Sequence, residues 1–448
     1  MRRVIRACLC TAAAVTCAVT ARQAPAAAQT PVAAQTPAAA AQAPGSEITV
    51  YHATYGPGDQ VWEKFGHNAI WIRDASTGST ISYNYGFFAF DQPGFVPRLM
   101  KGDMLYWMDA RSADDELAIY SYYDREILLQ QLNLTPAQRH ALREFLEWNW
   151  LPENRHYLYD YFRDNCSTRV RDAFDRVLGG AISEALIGVP TGTTYRSHSL
   201  RLTGENLPTY AGLLLGLGSP TDRPIDAWQE GFIPMELARH LRSVQVTSAD
   251  GRTEPLVERE TVLYEARRAP PLEAAPDRTV PFLLTGLLIG AGLVALGHAG
   301  RRGRRSTFGL ALLLSLWGVF TGFFGLILML LWTATSHVDS YANLNLLHVN
   351  PLGFLLAVAA PLALLQRTTG RAWRTARFAW PAAVTLALLS AVGLLLQLMP
   401  GVYQVNGPVA ALALPVHIAV VLALYRNIRR EPSSEEDTGA AIELSAAA

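Results

Sequence analysis

Five long apolar runs in the C-terminal part of the chain contain no aspartate, glutamate, lysine or arginine. They begin near Val280, Phe308, Val349, Phe378 and Pro408. As a helix, each run is long enough to cross a hydrocarbon layer about 30 Å thick. Helices satisfy their own backbone polar groups, which lipid requires of any spanning segment. The sequence therefore predicts an all-α transmembrane domain of five helices over residues 280–426. We expect no ionisable residue deep in a span, so an ion or proton pathway is not indicated.

The arginines between these runs predict the orientation of the membrane domain. Basic segments lie at residues 301–305, 367–377 and 426–430, whereas residues 334–348 and 400–407 contain no arginine or lysine. Cytoplasmic loops carry an excess of Lys and Arg. The basic segments and a tail at 427–448 are therefore expected in the cytoplasm, and the N-terminal half outside a bacterial inner membrane. The 38 basic and 38 acidic residues give no net charge, which argues against a nucleic-acid partner.

The N-terminal half divides into an export leader, a tether and a globular domain. Residues 1–28 combine a basic start, a short apolar core and small residues, as in a signal peptide. Residues 29–46 are an Ala/Pro/Gln-rich tract that cannot build a core and reads as a disordered tether. Residues 47–265 have the mixed composition of a soluble domain, and 266–279 form a Pro-rich stalk.

The globular domain is predicted to be α+β. Strand-like segments occur at 48–54, 67–73, 80–85, 104–108 and 127–134. A capping box at Thr135 with proline next to it opens a helix to about Trp150. Asn165 is a natural N-cap for a second helix, which ends at Gly179-Gly180.

Cys166, in the first turn of that second helix, is the only cysteine outside the leader, which holds Cys8, Cys10 and Cys17. It is either a buried small hydrophobe or a nucleophile. As a nucleophile it would have a pKa lowered by the helix N-terminus. The free backbone amides there would also hold an oxyanion.

His67 is the best candidate for a base because a Gly-His step opens a strand there, although a structural histidine is the alternative. The histidine spacings match no zinc site, and the Gly-x-Ser-x-Gly pattern of many serine hydrolases is absent.

Several segments together resemble the Lnb-type periplasmic domain family. They are Tyr55-Gly-Pro-Gly58, Trp62-Glu-Lys-Phe-Gly-His-Asn68, Tyr83-Asn-Tyr-Gly-Phe-Phe-Ala-Phe90, Gln131-Leu-Asn-Leu-Thr135 and Tyr159-Asp-Tyr-Phe-Arg-Asp-Asn-Cys-Ser-Thr-Arg-Val-Arg-Asp172. The resemblance covers Ile48 to about Arg176 and continues weakly to Leu241. It implies a permuted papain-like (NlpC-type) extracytoplasmic fold in which histidine precedes cysteine.

The resemblance also implies site residues. Cys166 would be the nucleophile and His67 the general base. Asn84 would orient the imidazole, or it merely closes a turn. Supporting or substrate-binding roles fall on Glu63, Asp164, Asn165 and Arg169. For these, the alternatives are a solvated charge for Glu63, a secondary cap for Asp164 and a salt-bridge donor for Arg169.

The external loop at residues 335–351 is rich in hydrogen-bonding groups, among them His337, Asn343 and Asn345. Similar loops recur in the resembling proteins. The loop is predicted either to bind lipid head groups or roof an acyl channel, or to cap helix ends.

The resemblance implies a thiol-dependent acyltransferase that needs no metal and no cofactor. It would move a fatty acyl group, through an S-acyl intermediate, onto the N-terminal amine of bacterial lipoproteins. The partners would be the membrane and a phospholipid or diacylglyceryl lipoprotein substrate. The alternatives are a periplasmic cysteine peptidase or amidase that cleaves cell-wall peptide and a non-enzymatic membrane assembly protein.

Overall fold

The computed structural model describes residues 43–300 and 303–428. The predicted signal peptide, nearly all of the predicted tether and most of the predicted tail lie outside the described residues. The strands are β1 (Ile48–Tyr55), β2 (His67–Asp74), β3 (Thr80–Phe87), β4 (Leu105–Ser112), β5 (Ile127–Leu132), β6 (His156–Leu158), β7 (Pro190–Thr194), β8 (Pro224–Asp226), β9 (Gln245–Thr247), β10 (Thr253–Pro255) and β11 (Val257–Tyr264). The helices are α1 (Phe95–Lys101), α2 (Ala113–Tyr122), α3 (Pro136–Trp150), α4 (Cys166–Val177), α5 (Ala181–Leu186), α6 (Tyr195–Leu202), α7 (Leu207–Gly216), α8 (Ala227–Glu230), α9 (Pro234–Leu241), α10 (Thr279–Gly300), α11 (Arg304–Ala334), α12 (Leu352–Thr369), α13 (Ala379–Leu396) and α14 (Gly407–Ile428).

A seven-stranded sheet in the order β11-β5-β1-β2-β3-β4-β6 organises the soluble domain. All six neighbouring pairs are antiparallel. The five predicted strand segments are confirmed, and β6 and β11 extend the sheet at its two edges. The N-terminal domain is therefore of mixed α and β structure, as the sequence predicted.

One face of the sheet carries the main core and the helix that begins at Cys166. Alternate residues of β2, Ile70 and Ile72, pack in the same cluster as Val170 and Phe174 of α4. The amphipathic stripe predicted for α4 is thus the surface that docks this helix on the sheet. The opposite face, with Trp71, packs against α2. Because side chains alternate along a strand, β2 presents successive residues to the two layers.

Five helices are long and apolar enough to cross a membrane, as predicted from the sequence. Glycines allow close packing between two of them, α11 and α12. A Cβ atom on Gly318 would lie 2.6 Å from the carbonyl oxygen of Gly353. Small residues of this kind let transmembrane helices approach each other closely.

The expectation that no ionisable residue lies deep in a span is wrong. His417 is buried in the middle of α14, and its Nδ1 lies 2.7 Å from the Ser390 hydroxyl of α13. The apolar residues around His417 give this segment a mean hydropathy of 2.2, so one histidine does not change its prediction as a span.

The soluble domain packs directly on the membrane helices. Leu200, Tyr210 and Leu214 share a hydrophobic cluster with Val409 at the start of α14. The Val405 backbone amide donates to Asp222 at 3.0 Å. These contacts place the connection before α14, and the start of that helix, against the soluble domain.

Candidate active site

A cavity of about 670 Å³ opens where the sheet, α2, α4 and the external loop meet. Its lining includes Cys166 and His67, and it also includes His337 and Asp339 from the membrane half. This volume is in the range of small-molecule sites, and the lining is mainly apolar. The cavity is therefore built jointly by the soluble domain and the membrane domain.

Cys166 is the first residue of α4, with its side chain partly exposed. The Asn165 side chain caps the helix by accepting hydrogen bonds from the amides of Ser167 and Thr168, both at 2.9 Å. This confirms Asn165 as the N-cap. The thiol lies beside Gly86, whose φ of 102° is a backbone conformation that other residues rarely adopt. The positive φ, rather than the space beside Cys166, is what favours glycine at this position.

The residues that follow His67 and Cys166 join their two elements. The Ser167 hydroxyl donates to the Asn68 side-chain oxygen at 2.8 Å, and both side chains are buried. This bond fixes the start of α4 to the start of β2. His67 and Cys166 consequently line the same cavity.

Asn84 holds the His67 imidazole. His67 Nε2 lies 2.9 Å from Asn84 Oδ1. The Asn84 amide group donates in turn to the Ser82 hydroxyl at 3.0 Å and to Glu116 at 3.2 Å, so its oxygen faces the histidine. An amide oxygen can only accept, so this network assigns the proton to Nε2 and leaves the Nδ1 lone pair available.

Glu116 is a site residue that the sequence analysis missed. Its buried carboxylate accepts from Asn84 and from the Tyr55 hydroxyl at 2.6 Å, and Arg111 lies 3.4 Å away. In the sequence it follows Asp114 and Asp115 in the first turn of α2. An Asp-Asp-Glu run does not show which of its three carboxylates points inward. The way α2 packs on the sheet determines that Glu116 is the buried one.

Aromatic rings and a buried arginine surround the histidine. Tyr55 stacks on His67 at 5.8 Å between ring centroids, and Tyr120 stacks on it at 6.4 Å. The Arg125 guanidinium lies over the Tyr120 ring at 4.6 Å and is itself 5% exposed. Glu63, a predicted supporting residue, lines the cavity and lies 3.7 Å from Arg125.

Burial keeps both reacting groups neutral. It lowers the pKa of His67 to about 4, and the nearby Arg125 and Arg111 act in the same direction, while the bond to Asn84 opposes them. Burial also raises the pKa of the Cys166 thiol, which outweighs the lowering by the backbone amides of Asn68 and Ser167. The expected lowered pKa of the thiol is therefore wrong. A neutral imidazole in the same cavity as a neutral thiol is in the protonation state that a general base needs.

Two predicted supporting residues lie outside the cavity lining. Asp164 and Arg169 form a bidentate ion pair at 2.5 and 2.8 Å. The Arg169 guanidinium lies 3.7 Å from the centroid of the Tyr157 ring. The structure therefore gives this pair the salt-bridge arrangement that the sequence left open.

The external loop caps a helix end, which is one of the two readings that the sequence left open, and it also lines the cavity. His337 lines the cavity, where its ring stacks on Tyr161 at 6.4 Å. Asn343 donates to the carbonyl oxygens of Leu215 and Gly216, and Asn345 donates to those of Leu214 and Leu215. These two asparagines cap the C-terminus of α7.

An ion pair between an exposed arginine and a buried aspartate fastens the loop to the soluble domain. Arg163 donates to both carboxylate oxygens of Asp339, at 3.0 and 2.8 Å. Asp339 is buried, and its backbone oxygen also accepts from the Gly218 amide at 2.7 Å. The sequence analysis singled out neither partner, because the pair joins segments 176 residues apart.

Within residues 43–300 and 303–428, no group of three or more His, Cys, Asp or Glu side chains is arranged to hold a metal ion.

Comparison with protein-family models matches residues 35–199 to the Lnb N-terminal periplasmic domain. The matched segment contains Cys166, His67 and Asn84, and it confirms the resemblance that the sequence motifs indicated. No curated protein and no solved structure matches the chain.

Proposed function

We propose that this chain, which over residues 35–199 belongs to the Lnb N-terminal periplasmic domain family, is a membrane-anchored cysteine acyltransferase. It moves a fatty acyl group through an S-acyl intermediate onto the N-terminal amine of bacterial lipoproteins. The observation that carries the proposal is a single apolar cavity that contains the thiol, the oriented imidazole and a loop of the membrane domain.

The first half-reaction forms the S-acyl enzyme. His67 Nδ1 takes the Cys166 proton as the sulfur attacks an ester carbonyl carbon, and amides at the start of α4 are suited to hold the resulting oxyanion. The C–O bond of the ester then breaks. The imidazolium returns its proton to the leaving alcohol, which is a lysophospholipid or a lyso-lipoprotein, depending on the donor.

The second half-reaction transfers the acyl group to nitrogen. A neutral primary amine attacks the thioester carbonyl, and His67 takes a proton from the attacking nitrogen. The C–S bond breaks, the sulfur recovers the proton and an amide is released. Neither half-reaction needs a metal or a cofactor, since the leaving groups and nucleophiles supply all bonds and protons.

The topology supports a lipid substrate. The domain is a periplasmic one, and it is followed by five apolar helices, so the chain is a membrane protein with its N-terminal domain in the periplasm. We propose that the membrane is the inner membrane and that the C-terminus is cytoplasmic, on the evidence of the arginine-rich connections. Donor and acceptor are then confined to the same bilayer as the enzyme, which raises their effective concentration.

The layout of the site also supports a permuted papain-like (NlpC-type) fold. A cysteine at a helix N-terminus, a histidine at a strand start and an amide side chain on the imidazole are arranged around an antiparallel sheet. His67 comes before Cys166 in the chain, as a permutation of that fold requires.

Mass spectrometry of lipoprotein N-termini tests the proposed function. Cells that lack their own N-acyltransferase would express the full chain, the Cys166→Ala variant or the control Glu153→Ala, a change at an exposed position. We expect N-acylated termini with the full chain and the control, and free amines with Cys166→Ala. Free amines in all three strains contradict the transferase, and release of cell-wall peptides by the full chain alone would indicate a peptidase instead.

A further inference from the structure

An exposed apolar surface lies beside the mouth of the cavity. We define the apolar rim as Val61, Trp62, Phe90, Val96, Leu99 and Met100, each of which is exposed. Phe90 is 64% exposed, Val96 59% and Met100 68%. Within the described soluble domain, α1 holds four large apolar residues and buries none of its side chains. A soluble surface has no reason to display such a helix unless it contacts an apolar partner.

The apolar rim is continuous with the interior of the cavity. Trp62 lies 5.9 Å from Phe90, and Phe90 lies 5.1 Å from Phe88, measured between ring centroids. Phe88 then stacks on Tyr106 at 5.0 Å, and Tyr106 stacks on Tyr159 at 4.3 Å. Phe88, Tyr106 and Tyr159 line the cavity that holds Cys166. An apolar chain that rests on the rim therefore meets aromatic surface all the way to the thiol.

The apolar rim is also continuous with the membrane-spanning surface. Helix α11, a candidate span, ends at Ala334. The next residues bond to the end of α1, since the Ser336 amide donates to the Lys101 carbonyl at 2.6 Å and His337 Nε2 to that of Leu99 at 2.8 Å. The exposed side chains of α1 thus begin at the level where α11 leaves the bilayer. Two basic residues of α1, Arg98 and Lys101, are suited to the phosphates found at that level.

We propose that the apolar rim is a membrane-contact surface that inserts into the outer leaflet. Through it an acyl chain passes from the bilayer into the cavity without crossing water. The passage of an acyl chain rests on the proposed function, whereas the insertion of the rim depends only on its exposure and its position beside α11.

Depth-dependent fluorescence quenching tests the insertion. The four cysteines of the chain would be replaced by alanine, and a single cysteine introduced as Val96→Cys or Met100→Cys would carry an environment-sensitive dye. Ala75→Cys is the matched control, because Ala75 is exposed in the β2–β3 turn at the far end of β2 from His67. In vesicles containing spin-labelled phospholipid, we expect at least twofold stronger quenching at both rim positions than at the control. Equal quenching at all three positions overturns the proposal.

A second measurement tests lipid entry in the otherwise intact chain. We expect Val96→Asp and Met100→Glu to lower acylation of Cys166 by vesicle phospholipid about tenfold, while acylation by the water-soluble ester p-nitrophenyl butyrate is retained. Ala75→Asp should affect neither reaction. Loss of both reactions, or of neither, in the rim variants contradicts entry through the rim. If the labelled variants show the quenching but the intact chain never transfers an acyl group, the proposed function fails while the membrane-contact surface stands.

Discussion

The central chemical feature at the scale of single residues is a neutral thiol and a neutral imidazole that line one cavity. The bond to Asn84 places the histidine proton on Nε2, so Nδ1 is the nitrogen that can accept the thiol proton. Burial disfavours the charged form of both groups. Under the proposed function, an ion pair would therefore form during attack rather than at rest, and a neutral resting thiol is less reactive toward oxidants than a thiolate.

The pH dependence of alkylation tests this resting state. Iodoacetamide reacts with thiolate, so a thiol with a raised pKa should react about tenfold faster for each unit of pH through neutrality. We expect the rate at Cys166 to keep rising above pH 9, its ordinary pKa. Peptide mass spectrometry of the full chain would measure the rate. A plateau between about pH 5 and 8 would instead show a thiolate already stabilised by imidazolium.

Glu116 is predicted to position His67 through Asn84. In Glu116→Gln one of the two acceptor oxygens is replaced by an NH₂ group, which cannot accept a hydrogen bond. The side chain then no longer has a separate oxygen for Asn84 and for Tyr55. A hydrogen bond to a charged group contributes roughly 1.5–3 kcal/mol. We therefore expect the rate constant for Cys166 acylation by p-nitrophenyl butyrate to fall at least about tenfold, with little change in KM.

Asp115→Asn is the matched control for Glu116, since it changes an exposed carboxylate in the same helical turn. It should react at the normal rate. If Glu116→Gln reacts as fast as this control, Glu116 has no positioning role. A change in KM alone would show that it only shapes the cavity.

At the scale of elements, the sequence predicted the features that depend on neighbouring residues, such as the starts of α3 and α4. Thr135 caps α3 and Asn165 caps α4, as the polar residues before those apolar stripes indicated. The edge strand β11 was missed because six of its eight residues are exposed and the other two are only partly buried. Its partner β5 also lies more than 100 residues earlier in the chain. Long-range pairing of this kind leaves no periodic pattern within the strand itself.

The same distinction explains the site. The positions of Cys166 and His67 followed from local motifs, whereas the inward direction of Glu116 depends on how α2 lies on the sheet. The pKa of Cys166 was predicted in the wrong direction for a similar reason. A helix N-terminus is visible in the sequence, but the burial that outweighs it is contributed by distant segments.

Asn165 is predicted to stabilise the junction of several elements as well as its own helix. Besides capping α4, its amide group donates to the carbonyl oxygens of Tyr161 at 2.9 Å and Phe232 at 3.0 Å. Asn165→Ala would remove the cap, at about 1 kcal/mol, and would take the side-chain donor from a buried carbonyl group at Phe232 and a partly buried one at Tyr161. We expect the free energy of unfolding to fall by about 3 kcal/mol in total. The full chain in detergent should therefore have a lower melting temperature.

Thr135→Ala provides the comparison for Asn165, because Thr135 caps α3 by a single bond to the Gln138 amide. Its loss should cost only about 1 kcal/mol. Equal decreases in melting temperature for the two variants would mean that the bonds from Asn165 to Tyr161 and Phe232 add nothing.

At the scale of the whole molecule, the candidate site is completed by the membrane domain. The loop after α11 supplies part of the cavity wall, and Arg163 with Asp339 fastens it in place. The membrane domain is therefore part of the candidate site as well as an anchor for the soluble domain. Separating the two halves would open the cavity on one side.

The ion pair between Arg163 and Asp339 should control the order of the loop. We expect Arg163→Ala and Asp339→Ala each to increase hydrogen exchange of residues 336–341, because each removes the two hydrogen bonds that hold the loop on the soluble domain. Arg163→Ala also leaves the buried Asp339 carboxylate unpaired. The double variant should exchange no faster than the faster single variant, since both remove the same interaction. Arg252→Ala, which removes an exposed ion pair to Asp250 near the β9–β10 turn, is the control. Additive effects of the two substitutions would contradict the coupling.

The measurement that tests the account most directly is the mass of the chain after incubation with phospholipid vesicles. The account predicts the addition of one fatty acyl group on the peptide that contains Cys166, released by neutral hydroxylamine as a thioester should be. The adduct should be lost in Cys166→Ala and should form much more slowly in His67→Ala. An unmodified Cys166, or the same adduct in Cys166→Ala, would contradict the account.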